Sequence, residues 1–432
     1  MRIIVVGGGF AGVSAAVALS EAGHQVFLHE ARASLGGRVH SVPPPLGFPV
    51  ALDNGPHLFS GAYHETFSLL KKLGRENLFH WVDPLKLDWY LLGGKVVSLK
   101  ATRLPAPFHL AWGLLNSHAF SFREKIEISR TLIVLRRAKP NHQTVAQFLD
   151  ERKISGNALE LFWKPFTRAV ANMPPENAPL NALTSTLPRM FLGNRRDSAF
   201  AVSRAPSGDL FGDSVECFLK QRQGRLVLRS SIEDVQVQSG RILSAQTTSG
   251  ETLHADGWVF AVPPSSLSHL LPKETWVPTP ESLGTSPIVT AHFYLDQPVL
   301  KSHFICLAGS RFEWVFNRNL NWDLMIPGQV LSVLASADKD LANRPEKELL
   351  EIAWKEFSER CPRAAQAKRF AERVTKEMSA TFAWTPASEA LRPPAHTPLS
   401  NLALAGDWTA TGLPATIESA VQSGLRAASL FH

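Results

Sequence analysis

Near the start of the chain, Gly7-Gly8-Gly9-Phe10-Ala11-Gly12 carries the spacing G-x-G-x-x-G. Each glycine has its own physical role. Gly7 permits a tight turn, Gly9 lets backbone approach a pyrophosphate, and Gly12 allows a helix to pack closely on a strand. Phe10 and Ala11 begin that helix, whose free N–H groups and positive dipole end suit phosphate. Glu30, followed by Ala31, stands where a carboxylate would accept hydrogen bonds from the ribose of a bound dinucleotide. The spacing alone does not separate NAD from FAD. Gly36-Gly37-Arg38 adds a second glycine turn and a fixed cation, placed to fold back over the pyrophosphate with charge-assisted hydrogen bonds. Far along the chain, Gly406-Asp407 offers backbone and carboxylate contacts to a ribityl chain. Thr416, Ile417 and Ala420 then open a last helix whose N-terminus would stabilise negative charge on a reduced flavin ring.

These residues need elements to hold them. Ile3 to Val6 is a short β-branched run suited to a buried parallel strand. The segment from about Ala11 to Ala22 reads as a helix stopped by Gly23, and Val26 to Glu30 as the next strand. The result is a βαβ unit. Residues 225–228, 232–238 and 256–262 read as further strands, the last ending at Pro263-Pro264, and Leu402 to Ala405 as a final one before the helix from about Thr416. Between residues 80 and 200, Pro-rich breaks separate helix-like stretches such as Arg123 to Arg137. From 266 to about 395, helical and irregular segments are expected.

Composition narrows the class. A chain of 432 residues with 44% hydrophobic and 19% charged residues is globular and long enough for two domains. The net charge of +7 comes without a dense basic run, so no nucleic acid is expected as partner. Cys217, Cys306 and Cys361 are far apart and the fifteen histidines lack ligand spacing, so neither a disulfide framework nor a metal is expected, and a reducing, cytoplasmic setting follows. No apolar run reaches the roughly 18–20 residues of a membrane span. Arg123, Lys125, Arg130, Arg136, Arg137 and Lys139 give the segment 123–139 a basic helix-like face. The plain reading is a solvated surface, and the alternative is peripheral contact with anionic lipid. Nine of the eleven tryptophans fall in residues 80–204 and 266–391, and phenylalanine outnumbers tyrosine by 25 to 3. Those blocks hold an aromatic core or an apolar, lipid-lined pocket.

The succession of G-x-G-x-x-G, G-G-R and a terminal Gly-Asp resembles the flavoprotein family of amine oxidases and phytoene desaturases. Leu52 to Tyr63 (LDNGPHLFSGAY), Arg392 to Pro398 (RPPAHTP) and Ala405 to Glu418 (AGDWTATGLPATIE) resemble its squalene-associated branch, the hydroxysqualene dehydroxylases. The likeness spans the chain in motif order. It departs at Pro56, where Gln is expected, and at Ala410, where an acidic residue is expected. The resemblance implies noncovalent FAD, with Gly55, Pro56, His57 and Ile232 as further contacts. It implies an α/β fold: a discontinuous Rossmann-like FAD-binding domain from residues 1–79, 205–265 and 392–432, and a second α+β domain from 80–204 and 266–391 that binds substrate. The implied reaction is reductive dehydroxylation of hydroxysqualene to squalene in bacterial squalene and hopanoid synthesis. With one dinucleotide fingerprint, an external reductant is expected. An acid must reach the departing hydroxyl, and His57 and Asp53 are the titratable groups in flavin-adjacent motifs; their plain readings are a packed histidine and a turn or capping aspartate. Three alternatives remain open: a carotenoid-type desaturase, another flavoprotein oxidase of the family, and a flavin-free prenyl-lipid carrier on the same fold.

Overall fold

The computed structural model describes residues 1–138, 142–271 and 280–431. Five parallel strands form one sheet in the order Arg225–Leu228, Gln25–Glu30, Arg2–Val6, Gly257–Phe260, Leu402–Leu404. The short run RIIVV can sit centrally because both faces of its strand are covered. Side chains alternate across a strand. Ile3 and Val5 pack with the helices Phe10–Glu21 and Ile417–Ala428, whereas Ile4 and Val6, with Trp258 and Phe260 of the neighbouring strand, face the opposite layer that holds Ile242. That layer is a three-stranded antiparallel sheet, Ile232–Gln238, Arg241–Thr247 and Thr252–Leu253.

The first and last helices cross at close quarters. A Cβ at Gly424 would stand 2.2 Å from the Ala11 carbonyl oxygen, so only glycine allows this approach. Ser14 Oγ donates to the Val421 carbonyl at 2.9 Å and locks the crossing.

A second, seven-stranded sheet runs in the order Arg369–Phe382, Thr285–Leu295, Gln329–Ser336, Trp314–Asn317, Phe304–Leu307, Lys86–Tyr90, Val96–Lys100. Neighbours are antiparallel except Phe304–Leu307 against Lys86–Tyr90. Alternation again separates the faces. Val289, Phe293, Ile305 and Val333 pack on the helix Glu346–Arg360, and Trp314, Phe316 and Leu334 look the other way, into a cavity. Across that cavity lie the helices Phe108–Asn116, Phe122–Arg137, Lys164–Ala171 and Asn181–Leu192. The architecture is therefore a Rossmann-like α/β unit joined to a mixed sheet-and-helix unit.

The expectation of helical and irregular chain from 266 to 395 is corrected: five of the seven strands lie there. Gln329–Ser336 is buried at every position, which removes the alternation that marks a strand, and Arg369–Phe382 is a charged edge strand. The helix expected over 123–137 is present as Phe122–Arg137, begun by a reciprocal Ser121–Glu124 capping box. Lys139 of the basic segment lies outside the described residues. Among the described residues, no helix is long and apolar enough to cross a membrane.

Candidate functional site

Four of the parallel strands end on one cavity. Gly7 to Gly9 follow the first strand, Ala31 the second, Ala261 and Val262 the strand Gly257–Phe260, and Gly406 follows Leu402–Leu404 by two residues. Ligands of open α/β sheets collect at such strand ends. Gly7 has φ +104°, and a Cβ there would lie 2.5 Å from the Ala261 carbonyl oxygen. The helix after it starts from Gly9 in extended conformation, with no side chain capping its N–H groups and no acidic residue in its first turn. Those donors are open to an anion.

The second glycine turn lies against the first. Gly36 N–H donates to the Gly8 carbonyl at 2.9 Å, and a Cβ at Gly37 would come within 3.2 Å of the Gly9 Cα. Two backbone turns thus make a cradle with no side chain between them. Glu30 borders it, accepting from Gly8 N–H at 2.6 Å and Arg32 N–H at 2.8 Å. Its carboxylate is fixed by these two bonds and still lines the cavity.

Arg38 joins the two ends of the chain. Its guanidinium donates to Asp407 Oδ1 at 2.5 Å and to the Ala380 carbonyl at 2.7 Å. Arg38 lines the cavity as expected, and Asp407 fixes its guanidinium there. Behind Asp407 lies Arg392, whose place in the RPPAHTP stretch gave no hint of a role. It is buried, and its guanidinium donates to the carbonyls of Asp407 and Leu413 at 3.0 Å each and to Thr411 Oγ1 at 3.0 Å. One cation therefore sets the path of the terminal motif. Gly406 N–H donates to Ser423 Oγ at 2.7 Å, and Thr416 caps the last helix by accepting from Ser419 N–H at 3.2 Å. Thr416, Ile417 and Ala420 line the cavity, so the positive ends of both end helices open on it.

Phe10, Ala11, Ala31, Gly36, Gly37, Pro56, His57 and Ile232 also border the cavity. Three expected residues do not. Gly12 packs instead: a Cβ there would lie 1.8 Å from the Gly7 carbonyl oxygen. Gly55 sits against Thr290 and Ile288 with ordinary space around it. Asp53 is 1% exposed, pairs with Arg318 at 2.9 Å and accepts from Ser41 Oγ at 2.7 Å and Ser207 N–H at 2.8 Å. The expectation of Asp53 as an acid is overturned, since all its partners are internal.

His57 meets the cavity, with Nε2 unpartnered among the described residues. Burial pushes it down to about 4; Asp53 opposes this, and Arg318, Arg38 and His40 reinforce it. The ring is neutral at pH 7 and so cannot serve as a cationic acid there. It can offer a polar contact to a bound group. Among the described residues, no set of His, Cys, Asp or Glu could hold a metal ion.

The cavity is about 1210 Å³ and continues past the cradle into a chamber walled by Leu110, Phe162, Phe166, Phe191, Trp314 and Phe316. The side-chain-free cradle, the uncapped N-terminus of the helix Phe10–Glu21 and the orphaned His57 Nε2 fit a dinucleotide whose ring end faces that chamber.

The sequence profile of the family described as flavin containing amine oxidoreductase matches residues 10–430. The chain belongs to that family. It is accordingly a flavin-dependent oxidoreductase, and the flavin-free carrier alternative drops out. Among its relatives are hydroxysqualene dehydroxylases of Zymomonas mobilis, 26% identical, and Sinorhizobium fredii, 29% identical, each covering 99% of this chain and 98% of the relative. A 15-cis-phytoene desaturase of Synechococcus elongatus is 24% identical over 98% of this chain and 94% of its own length. In three dimensions the chain is similar to an oxidoreductase from Methanosarcina mazei, with a TM-score of 0.75, 14% identity and coverage of 98% and 99%. A putrescine oxidase gives 0.70 at 16% identity, with coverage of 99% and 98%. These likenesses establish the fold shared across the family.

Proposed function

We propose that the protein holds FAD noncovalently and converts hydroxysqualene to squalene by reductive dehydroxylation, in bacterial squalene and hopanoid synthesis. The observation that carries this reading is one cavity running unbroken from the nucleotide cradle into an apolar chamber. The two dehydroxylase relatives aligned over nearly their full lengths support it.

In this reading the residues divide the work between the cavity's two halves. The glycine turns and the helix beginning at Phe10 hold the pyrophosphate, and Glu30 accepts from the ribose. Asp407, fixed by Arg38 and Arg392, faces the ribityl chain, and the N-terminus at Thr416 meets the ring. No cysteine lines the cavity among the described residues, in keeping with noncovalent binding. When bound, reduced FAD would supply hydride chemistry, its electrons coming from an external reductant. The hydroxyl would leave as water with one proton taken up from the medium, and the hydride would take its place on carbon. The apolar wall orients the chain and excludes bulk water, each buried CH₂ contributing roughly 0.8 kcal/mol. The cradle belongs to segments 1–79, 205–265 and 392–432 and the chamber to 80–204 and 266–391, the division of domains proposed here.

Delivery of such a substrate fits the surface beside the chamber. Phe108, Trp112 and Leu115 lie on the solvent side of one helix and Phe122, Ile126 and Ile133 on that of the next, all exposed. Residues 103–137 carry six basic against two acidic side chains. Ile133 is 57% exposed and also lines the cavity, so the chamber reaches the surface there. An apolar patch in a segment of net positive charge suits peripheral contact with an anionic membrane on its cytoplasmic side.

Anaerobic incubation of hydroxysqualene with the reduced FAD-loaded protein tests the reaction. Squalene is the expected product. Unchanged hydroxysqualene refutes it, and new conjugated double bonds from phytoene under oxidising conditions would put a desaturase in its place.

A further inference from the structure

Among the described residues, two charged side chains from 80–204 and 266–391 line the cavity, Arg168 and Glu377. Glu377 accepts from Asn54 Nδ2 at 2.8 Å, and the cation of the two is Arg168. It projects from the helix Lys164–Ala171, and its Nη1 donates to Glu313 Oε1 at 3.0 Å. Its Nε is buried without a partner among the described residues, and Glu313 Oε2 is likewise unclaimed. Glu313 is 5% exposed and stands behind the wall, outside the cavity lining. Burial raises its pKa to about 8, Asp338 and Glu356 adding to this against the pull of Arg168. Burial thus works against the ionised carboxylate, and its one contact with Arg168 leaves the guanidinium Nε unclaimed among the described residues.

One helical turn onward, Asn172 also lines the cavity. Residues four apart share a helix face. Asn172 caps the helix in left-handed conformation at φ 47°. Its Nδ2 donates to the Ser286 carbonyl at 3.2 Å and Thr381 Oγ1 at 3.1 Å, which fixes the amide and leaves Oδ1 buried with no donor among the described residues. An apolar chamber thus presents a charged donor and a neutral acceptor, one turn apart, each with unspent hydrogen-bonding capacity.

A buried guanidinium Nε–H and an orphaned amide oxygen are costly unless a ligand meets them. A hydrocarbon offers them nothing, whereas a hydroxyl accepts from one and donates to the other. We propose that Arg168 and Asn172 form a hydroxyl-binding site within the chamber, which selects an oxygen-bearing isoprenoid over the corresponding hydrocarbon. The inference rests on the isoprenoid reading of the chamber and goes past it to the polar group that the ligand must carry. Glu313 is a positioning residue that acts through Arg168.

The test is binding by the oxidised FAD-loaded protein, in which no turnover occurs. Hydroxysqualene and squalene are titrated in detergent micelles and followed by tryptophan fluorescence, since Trp89 and Trp314 line the cavity. Wild type is expected to prefer the alcohol by about tenfold or more, the worth of a hydrogen bond to a charged group. Arg168→Met and Asn172→Leu should each abolish that preference with squalene affinity unchanged, and Arg168→Lys should keep part of it. Should Arg168→Met fold poorly with Glu313 left alone, the Arg168→Met/Glu313→Gln double variant gives the same reading. A wild type that does not discriminate, or a preference that survives Arg168→Met, overturns the site whatever the turnover assay gives. Preferential binding of hydroxysqualene without its conversion would instead defeat the dehydroxylation and leave the site standing.

Discussion

Replacing Arg318 by Met separates two accounts of Asp53. In the structure, Arg318 is 4% exposed, pairs with Asp53 at 2.9 Å and donates from Nε to Ser332 Oγ at 2.9 Å. Removing it strands a carboxylate whose remaining partners are Ser41 Oγ and Ser207 N–H. Breaking one side of a buried pair costs about 3–5 kcal/mol, because the survivor stays desolvated. Asp53→Asn strands the guanidinium and should cost a similar amount. The Asp53→Asn/Arg318→Met double variant leaves no unpaired charge, so it should fall short of the sum of the singles by roughly 2–3 kcal/mol, a coupling typical of contacting groups. Urea unfolding followed by fluorescence gives all four stabilities, and turnover at saturating FAD is measured alongside. If Asp53 is structural, activity follows the folded, flavin-loaded fraction in every variant. An Asp53→Asn protein as stable as wild type, fully flavinated and inactive would refute this and restore Asp53 as the acid.

The remaining predictions use other parts of the molecule. Gly424→Val drives a side chain into the Ala11 carbonyl at the crossing of the end helices, so the purified protein should lose bound FAD, read as lost flavin absorbance; retained colour would contradict the clasp. His292 is fully buried between Ser332 and Thr375, and burial with Arg318 nearby pushes it down to about 3. Below about pH 6.5 the unfolded chain takes up a proton there that the folded chain refuses, so stability falls as pH drops from 6.5 towards 3. The contribution is about 2 kcal/mol between pH 7.5 and 5, and His292→Gln should lessen the acid loss by that amount in urea titrations at the two pH values. Flotation with anionic liposomes should carry the wild type up at low salt and leave a Trp112→Ser/Phe122→Ser variant below; equal flotation of both would remove the docking face.

The readable parts of the sequence are those where backbone geometry restricts residue choice. Gly7, Gly12 and Gly37 sit where any Cβ meets backbone at close range, and such sites leave a mark in the letters themselves. The strand Arg2–Val6 and the helix Phe10–Glu21 follow from local pattern because one short βαβ unit supplies its own packing. What was hidden depends on partners distant in sequence. The partner that fixes Arg38, Asp407, lies 369 residues away. Asp53 looked titratable until Arg318 closed over it. Arg168, within a helix among Thr167 and Ala169, gives no local sign of facing an apolar chamber, since that depends on Glu313 and on strands misread as irregular chain. Only the concentration of Trp and Phe in the middle blocks hinted at the chamber itself.

The packing of Gly424 against Ala11 also sets an order of events during synthesis. Strand Leu402–Leu404 and helix Ile417–Ala428 are made after the rest of the sheet, yet they supply one border of the central layer and the cover for Val13 and Ala16. A nascent chain on the ribosome therefore carries a half-built nucleotide pocket and an uncovered apolar helix until these residues emerge. On the proposed binding mode, flavin capture waits for these residues, and the apolar helix stays uncovered until then.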